Sequence, residues 1–169
     1  MIVKRNKTIE QSDINKVVKL LKAETLSGFN AGPGESFYGG KNVKALEKDF
    51  CDYFGCKHAI SVNSWTSGLE IAVGCLNFKQ GTEIICSPWS MSATIAAIVN
   101  NGCKPVFVDI DPSTFNLDPK KITKKITKHT GAILVTDMYG QSSDIHAILK
   151  IAKANKLYTI SDTAQSIGS

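Results

Sequence analysis

The hydrophobic positions of this chain change their period partway along it. In residues 13–21 the apolar side chains are Ile14, Val17, Val18 and Leu21, spaced as on one face of a helix. Residues 28–40 carry five glycines and Pro33 and read as a loop. A second helix is expected after Asn42, a suitable N-cap, with Val43, Leu46, Phe50, Tyr53 and Phe54 on its apolar face and Gly55 ending it. From residue 58 onward, short apolar runs alternate with helical patterns. The pattern predicts strands at 58–62, 83–86, 105–108, 132–136 and 157–161. It predicts helices at 66–76, 93–99 and 144–154, with a short basic one after Pro119.

These strands are short and rich in Val and Ile, as expected when both faces are covered. Repeated strand-then-helix order implies an α/β fold, a three-layer sandwich about a mostly parallel sheet with right-handed crossovers. In such sheets ligands bind outside the carboxyl ends of the strands. Polar residues gather there: Asn63 and Ser64, Ser87, Asp109, Asp137 and Asp162. A site built from residues 63–67, 87–91, 139–140 and 162–165 is therefore expected.

Composition narrows the picture. The chain has 169 residues, enough for one domain with a real core, and its 43% hydrophobic and 21% charged content is that of a globular protein. No apolar run approaches the roughly 20 residues of a membrane helix, and the first seven residues lack the pattern of a secretory leader. Twenty basic against fifteen acidic residues give a net charge of +5. Only one of the twenty is arginine, which argues against a specialised nucleic-acid binder. The lysines between 120 and 128 read as a solvated helix face. Five cysteines form no C-x-x-C pair and three histidines are far apart, so neither a disulfide framework nor a metal site is expected. The cysteines read as reduced, mostly buried thiols of a cytoplasmic protein.

Three segments could carry chemistry, and each has a plainer reading. The stretch 63–68, Asn-Ser-Trp-Thr-Ser-Gly, opens a helix after an expected strand. The free amides and the dipole of a helix start favour an anion, and Thr66 and Ser67 add hydroxyls. The same stretch also reads as an ordinary Ser/Thr N-cap. Asp162 follows the last strand, where a carboxylate could pair with a ring nitrogen, or merely cap a helix or bond a loop. Gln165 could reach the same ligand, or complete a capping box. Trp89 and Met91 could cover a planar ring, or be core residues at a strand–helix junction.

The collinear order of these segments resembles the DegT/DnrJ/EryC1/StrS family of pyridoxal 5′-phosphate-dependent sugar aminotransferases. The resemblance rests on residues 63–69, on 81–119 with Pro-Val-Phe-Val-Asp-Ile-Asp-Pro at 105–112, on Tyr139-Gly140-Gln141, and on 161–168. The stretch 38–47 matches the entry to that family's N-terminal helix. The resemblance implies the fold of the type I, aspartate aminotransferase-like transferases. Residues 1–40 would be an N-terminal helix and glycine-rich loop, and 41–169 the N-terminal part of the cofactor-binding large domain. Ser64, Trp65 and Thr66 match the phosphate-binding turn, Asp162 the partner of the pyridine nitrogen, and Gln165 the residue near the ring's phenolic oxygen. Met91 matches the ring-stacking position, where an aromatic is usual, and Trp89 is placed to compensate. Trp65 stands where a small residue is usual.

The resemblance further implies a nucleotide-linked keto sugar and a glutamate or glutamine amino donor as small-molecule partners, and a homodimer. The family's Schiff-base lysine lies beyond the Asp-x-x-Gln motif, and none of the nineteen lysines here fits that position. The chain is thus expected to be the N-terminal portion of a longer enzyme and inactive in transamination alone. Two alternatives stay open: a dehydratase of the same family, with histidine in place of that lysine, and a short, non-catalytic binding protein.

Overall fold

The computed structural model describes residues 8–23 and 26–168. The first seven residues, on which the expectation about a leader rests, lie outside that range, as does Ser169, the last residue of the resemblance. The chain falls into two compact units, Met1–Ser61 and Val62–Ser169.

The first unit holds α1 (Gln11–Lys22), a single 3₁₀ turn at Glu35–Tyr38 and α2 (Lys41–Phe54). Helix α2 begins ahead of the expected Asn42 cap, with Gly40 as N-cap and no side-chain bond there. Gly55 ends it in the left-handed region, φ 65°, which a Cβ would disfavour. Aromatic rings pack along its last turns, with Phe50 and Phe54 4.4 Å apart between centroids. None of the unit's described residues is fully buried, so the apolar stripe of α1 that the pattern predicts is formed but stays open to solvent.

The expected strand at 58–62 is absent. A strand persists only where a neighbour takes its backbone groups. Here Ser61 is held instead by a side chain, its N–H and hydroxyl both donating to Glu47 Oε1 at 2.8 and 2.9 Å.

The second unit carries the sheet. Its elements are α3 (Trp65–Gly74), β1 (Glu83–Cys86), α4 (Ser92–Asn100), β2 (Lys104–Phe107), α5 (Pro119–Ile122), β3 (Thr130–Thr136), α6 (Ile145–Ala154) and β4 (Tyr158–Asp162). The four strands are all parallel, in the order β2-β1-β3-β4. Period-two alternation sends side chains to two separate cores. Ile84, Cys86, Ala132 and Leu134 pack with Leu69 and Val73 of α3 and Ala97 and Ile98 of α4. Ile85, Ile133 and Val135 pack with Ile122 of α5 and Ile148 and Ala152 of α6 on the opposite face. The result is the expected three-layer α/β sandwich.

This strand order also decides where a ligand fits. From β1 the chain runs through α4 to β2 on one side; from β3 it runs through α6 to β4 on the other. The central pair β1 and β3 is therefore the topological switch point, where the connections diverge and leave a crevice at the strands' carboxyl ends.

The exposed lysines of α5 and the turn after it form the expected solvated face. The cysteines depart from expectation. Cys86 and Cys103 are buried, Cys51 is half-buried, and Cys56 and Cys75 are exposed. The exposed pair sits just beyond the ends of α2 and α3. Among the described residues no helix is long and apolar enough to cross a membrane, and no cluster of three or more His, Cys, Asp or Glu is placed to hold a metal.

Candidate active site at the carboxyl ends of the strands

A cavity of about 180 Å³ opens at the switch point. Its wall is made by the start of α3 (Trp65, Thr66), the segment after β1 (Ser90, Met91), the end of β3 and its turn (Thr136 to Met138), and Asp162, Ala164 and Gln165 at the end of β4. Four segments distant in sequence meet there because parallel strands all end on the same edge.

Asp162 is the buried polar centre of this wall, 4% exposed. Its carboxylate is held from three sides. Trp65 Nε1 donates to Oδ1 at 2.7 Å. The Ala164 N–H reaches the same oxygen at 3.3 Å. Thr94 Oγ1 donates to Oδ2 at 3.0 Å. Thr94 is itself bonded to Ser90 Oγ at 2.6 Å, and Ser90 lies 3.3 Å from Thr136 Oγ1. A carboxylate has about four acceptor positions. Three are used, so one, on Oδ2, remains for a donor.

The second feature is the start of α3. Ser64 is its N-cap, with Oγ accepting from the Ser67 N–H at 3.1 Å. The plainer cap reading is thus realised, and it leaves the first amides of a ten-residue helix with no partner inside the helix. Thr66 lines the cavity from this end.

Gln165 is exposed, and its Oε1 accepts from the Tyr139 N–H at 2.8 Å. Tyr139 has φ 58°, unusual for a residue with a side chain, and this bond helps hold that turn. The amide nitrogen of Gln165 remains a donor on the cavity wall. Met91 lines the cavity; Trp89 is not among its lining residues. The Trp89 ring lies 6.3 Å from Phe115, and Phe115 lies 6.1 Å edge-on to Tyr139.

Sequence reasoning named Asp137 only as one of the polar residues after the strands, and did not single out Thr94 or Asn116. Asp137 is buried and ties two loops, accepting from the Ser143 N–H at 2.9 Å and from Ser166 Oγ at 2.9 Å. Asn116 is buried; its Oδ1 accepts from the Met138 N–H and its Nδ2 donates to the Gln141 carbonyl, each at 2.9 Å. Asp137, a polar residue directly after a strand, carried the positional signal; Thr94 and Asn116 carried none.

The donor set fits a flat, phosphorylated heterocycle with a ring N–H. A helix N-terminus offers amides suited to an anion, a buried carboxylate keeps one acceptor position free, and Met91 and Ala93 offer apolar surface.

Comparison with known proteins identifies the family. The model of the DegT/DnrJ/EryC1/StrS aminotransferase family matches residues 24–169. A pleiotropic regulatory protein of Geobacillus stearothermophilus is 38% identical over 157 residues, 92% of this chain and 42% of that protein. The GDP-perosamine synthase of Caulobacter vibrioides is 38% identical over 129 residues, 76% of this chain and 35% of that protein. A GDP-4-keto-6-deoxy-D-mannose 3-dehydratase of Yersinia pseudotuberculosis is 35% identical over 135 residues, 76% of this chain and 34% of that protein. Among solved structures, an aminotransferase from Psychrobacter cryohalolentis superposes with TM-score 0.84 at 28% identity, covering 98% of this chain and 40% of that one. NtdA from Bacillus subtilis, bound to the cofactor PMP, gives TM-score 0.81 at 33% identity, covering 95% and 35%. The chain thus spans between 34% and 42% of the length of these relatives.

Proposed function

The chain belongs to the DegT/DnrJ/EryC1/StrS aminotransferase family, and from that premise we propose that it forms the cofactor-binding part of a pyridoxal 5′-phosphate-dependent enzyme of sugar amination. The substrate is a keto sugar, nucleotide-linked, and the amino donor is glutamate or glutamine. The observation that carries this reading is the buried Asp162 carboxylate, one acceptor position open, across a cavity from the start of α3.

When bound, pyridoxal phosphate supplies an electron sink for bond changes at the carbon bearing nitrogen. The residues of this chain do the rest. Thr66 and the first amides of α3 hold the phosphate, with Ser64 fixing the turn. Asp162, with a position open on Oδ2, would accept a pyridinium N–H and keep that proton on the ring. Gln165 donates from its amide nitrogen toward the ring's phenolic oxygen. Met91 would cover one ring face. The working enzyme is a homodimer.

The test uses the full-length protein. Incubated with pyridoxal phosphate it is expected to show a near-visible absorption band and to convert glutamate to 2-oxoglutarate when a nucleotide-linked keto sugar is present. Asp162→Ala should abolish the band. An unchanged spectrum and rate in that variant would remove Asp162 from its assigned role. A dehydratase is the second reading, favoured by the 35% identity to the Yersinia enzyme; release of a deoxy sugar with no amino sugar formed would select it.

A further inference from the structure

One side chain joins the two ends of the site. Trp65 is the first residue of α3, directly after the Ser64 cap, and so belongs to the turn assigned above to the phosphate. Its indole N–H donates to Asp162 Oδ1 at 2.7 Å across 97 residues of sequence. That is the length of a charge-assisted bond, shorter than most neutral ones. The donors on Asp162 come from three directions: Trp65 from α3, Thr94 from α4 and Ala164 from the turn after β4. Trp65 and Ala164 together fill Oδ1, while Thr94 takes one position of Oδ2. With Oδ1 filled, the carboxylate cannot rotate to offer that oxygen, and only Oδ2 can receive a new donor. Trp65 itself is 43% exposed whereas Asp162 is 4% exposed, so the indole lies between the carboxylate and solvent.

We propose that Trp65 is a positioning residue that sets the orientation of Asp162 and ties it to the phosphate-holding turn. The two ends of the site then move as one rigid piece. A ligand carrying both an anion and a ring N–H gains from both ends at once, and an anion alone gains only from the turn. Trp65 therefore raises selectivity for the phosphorylated heterocycle over a simple phosphate, and it does so through Asp162. This inference rests on the cofactor reading above.

The experiment compares four forms of the full-length protein: wild type, Trp65→Phe, Asp162→Asn and the double variant. Pyridoxal 5′-phosphate affinity is measured by equilibrium dialysis, and inorganic phosphate affinity by its competition. Trp65→Phe keeps an aromatic ring and loses only the donor. It is expected to weaken pyridoxal phosphate binding roughly tenfold, the scale of one hydrogen bond to a charged group, and to leave inorganic phosphate within about twofold. The double variant should bind no more weakly than Asp162→Asn alone, because both substitutions remove the same link. A direct readout comes from protein labelled with ¹⁵N-tryptophan. The Trp65 indole N–H resonance, identified by its loss in Trp65→Phe, should move upfield and exchange faster with water in Asp162→Asn.

Full pyridoxal phosphate affinity in Trp65→Phe overturns the inference and leaves the functional reading standing. So does equal weakening of both ligands, or an indole resonance indifferent to Asp162→Asn. A wild-type protein that binds no pyridoxal phosphate removes the functional reading and this inference together.

Discussion

Thr94 and Asp162 meet 68 residues apart in sequence, the threonine hydroxyl 3.0 Å from the carboxylate Oδ2, with 1% and 4% of their surfaces exposed. Thr94→Val keeps the shape and removes the donor. The cost expected is about 1–3 kcal/mol, the penalty for leaving a buried acceptor one bond short. A lower urea midpoint at an unchanged slope would show it; an unshifted midpoint would mean the bond contributes nothing to folding.

Asn116 fixes the turn after β3 through both ends of its amide, and it does so from a loop with no helix or strand of its own. Asn116→Ala should destabilise the fold by about 2 kcal/mol, since it strands the buried Met138 N–H and removes the donor to the Gln141 carbonyl. Met138 lines the cavity, so pyridoxal phosphate affinity should fall as well. Calorimetry and ligand titration on the same variant check both effects. Lost stability with full affinity would separate the loop from the site.

Ser64 is a cap as well as a neighbour of the turn proposed to hold the phosphate. Ser64→Ala removes the acceptor for the Ser67 N–H and should cost about 1 kcal/mol. Ser64→Gly should cost only a few tenths, because glycine accepts the cap conformation. Equal losses in the two variants would show that the hydroxyl, and not the backbone conformation, matters most.

Cys86 gives a pH prediction. It lies in β1 with no solvent contact, and burial pushes its thiol from the ordinary 9.0 up to about 12. Burial raises the Cys103 thiol too. The folded state thus holds the neutral thiol, and the unfolded state releases its proton more readily. The stability this contributes is complete below pH 9 and is lost as pH rises toward 12. The slope from Cys86 is about 1.4 kcal/mol per pH unit in that window. Cys86→Ala should flatten the decline relative to wild type, as read from urea unfolding at several pH values. Alkylation of the native protein at pH 8 should label Cys56 and Cys75 and spare Cys86 and Cys103; rapid labelling of Cys86 would contradict its burial.

Much of the second unit was legible because its signals are local. Alternating strand and helix patterns placed β1 to β4 within a residue or two, since a Val- and Ile-rich run covered on both faces reads the same wherever it pairs. The polar residues after each strand marked the edge where the cavity opens, because that follows from parallel strands alone. Other features depend on partners that local sequence does not name. Residues 58–62 have the composition of a strand but no neighbour in the sheet, and Glu47 holds Ser61 instead. The cysteines look alike in sequence and differ in burial by which elements cover them. Trp89 and Met91 are two positions apart, yet only Met91 lines the cavity.

The sequence by itself determined the order of elements, the parallel sheet and the edge that carries the site, because periodicity and chain direction are properties of neighbouring residues. The tertiary structure alone decided that Trp65, Thr94 and Asp162 form one hydrogen-bonded group. The strand order β2-β1-β3-β4 brings α3, α4 and the end of β4 together. A bond between residues 97 positions apart leaves no trace in the period of either segment.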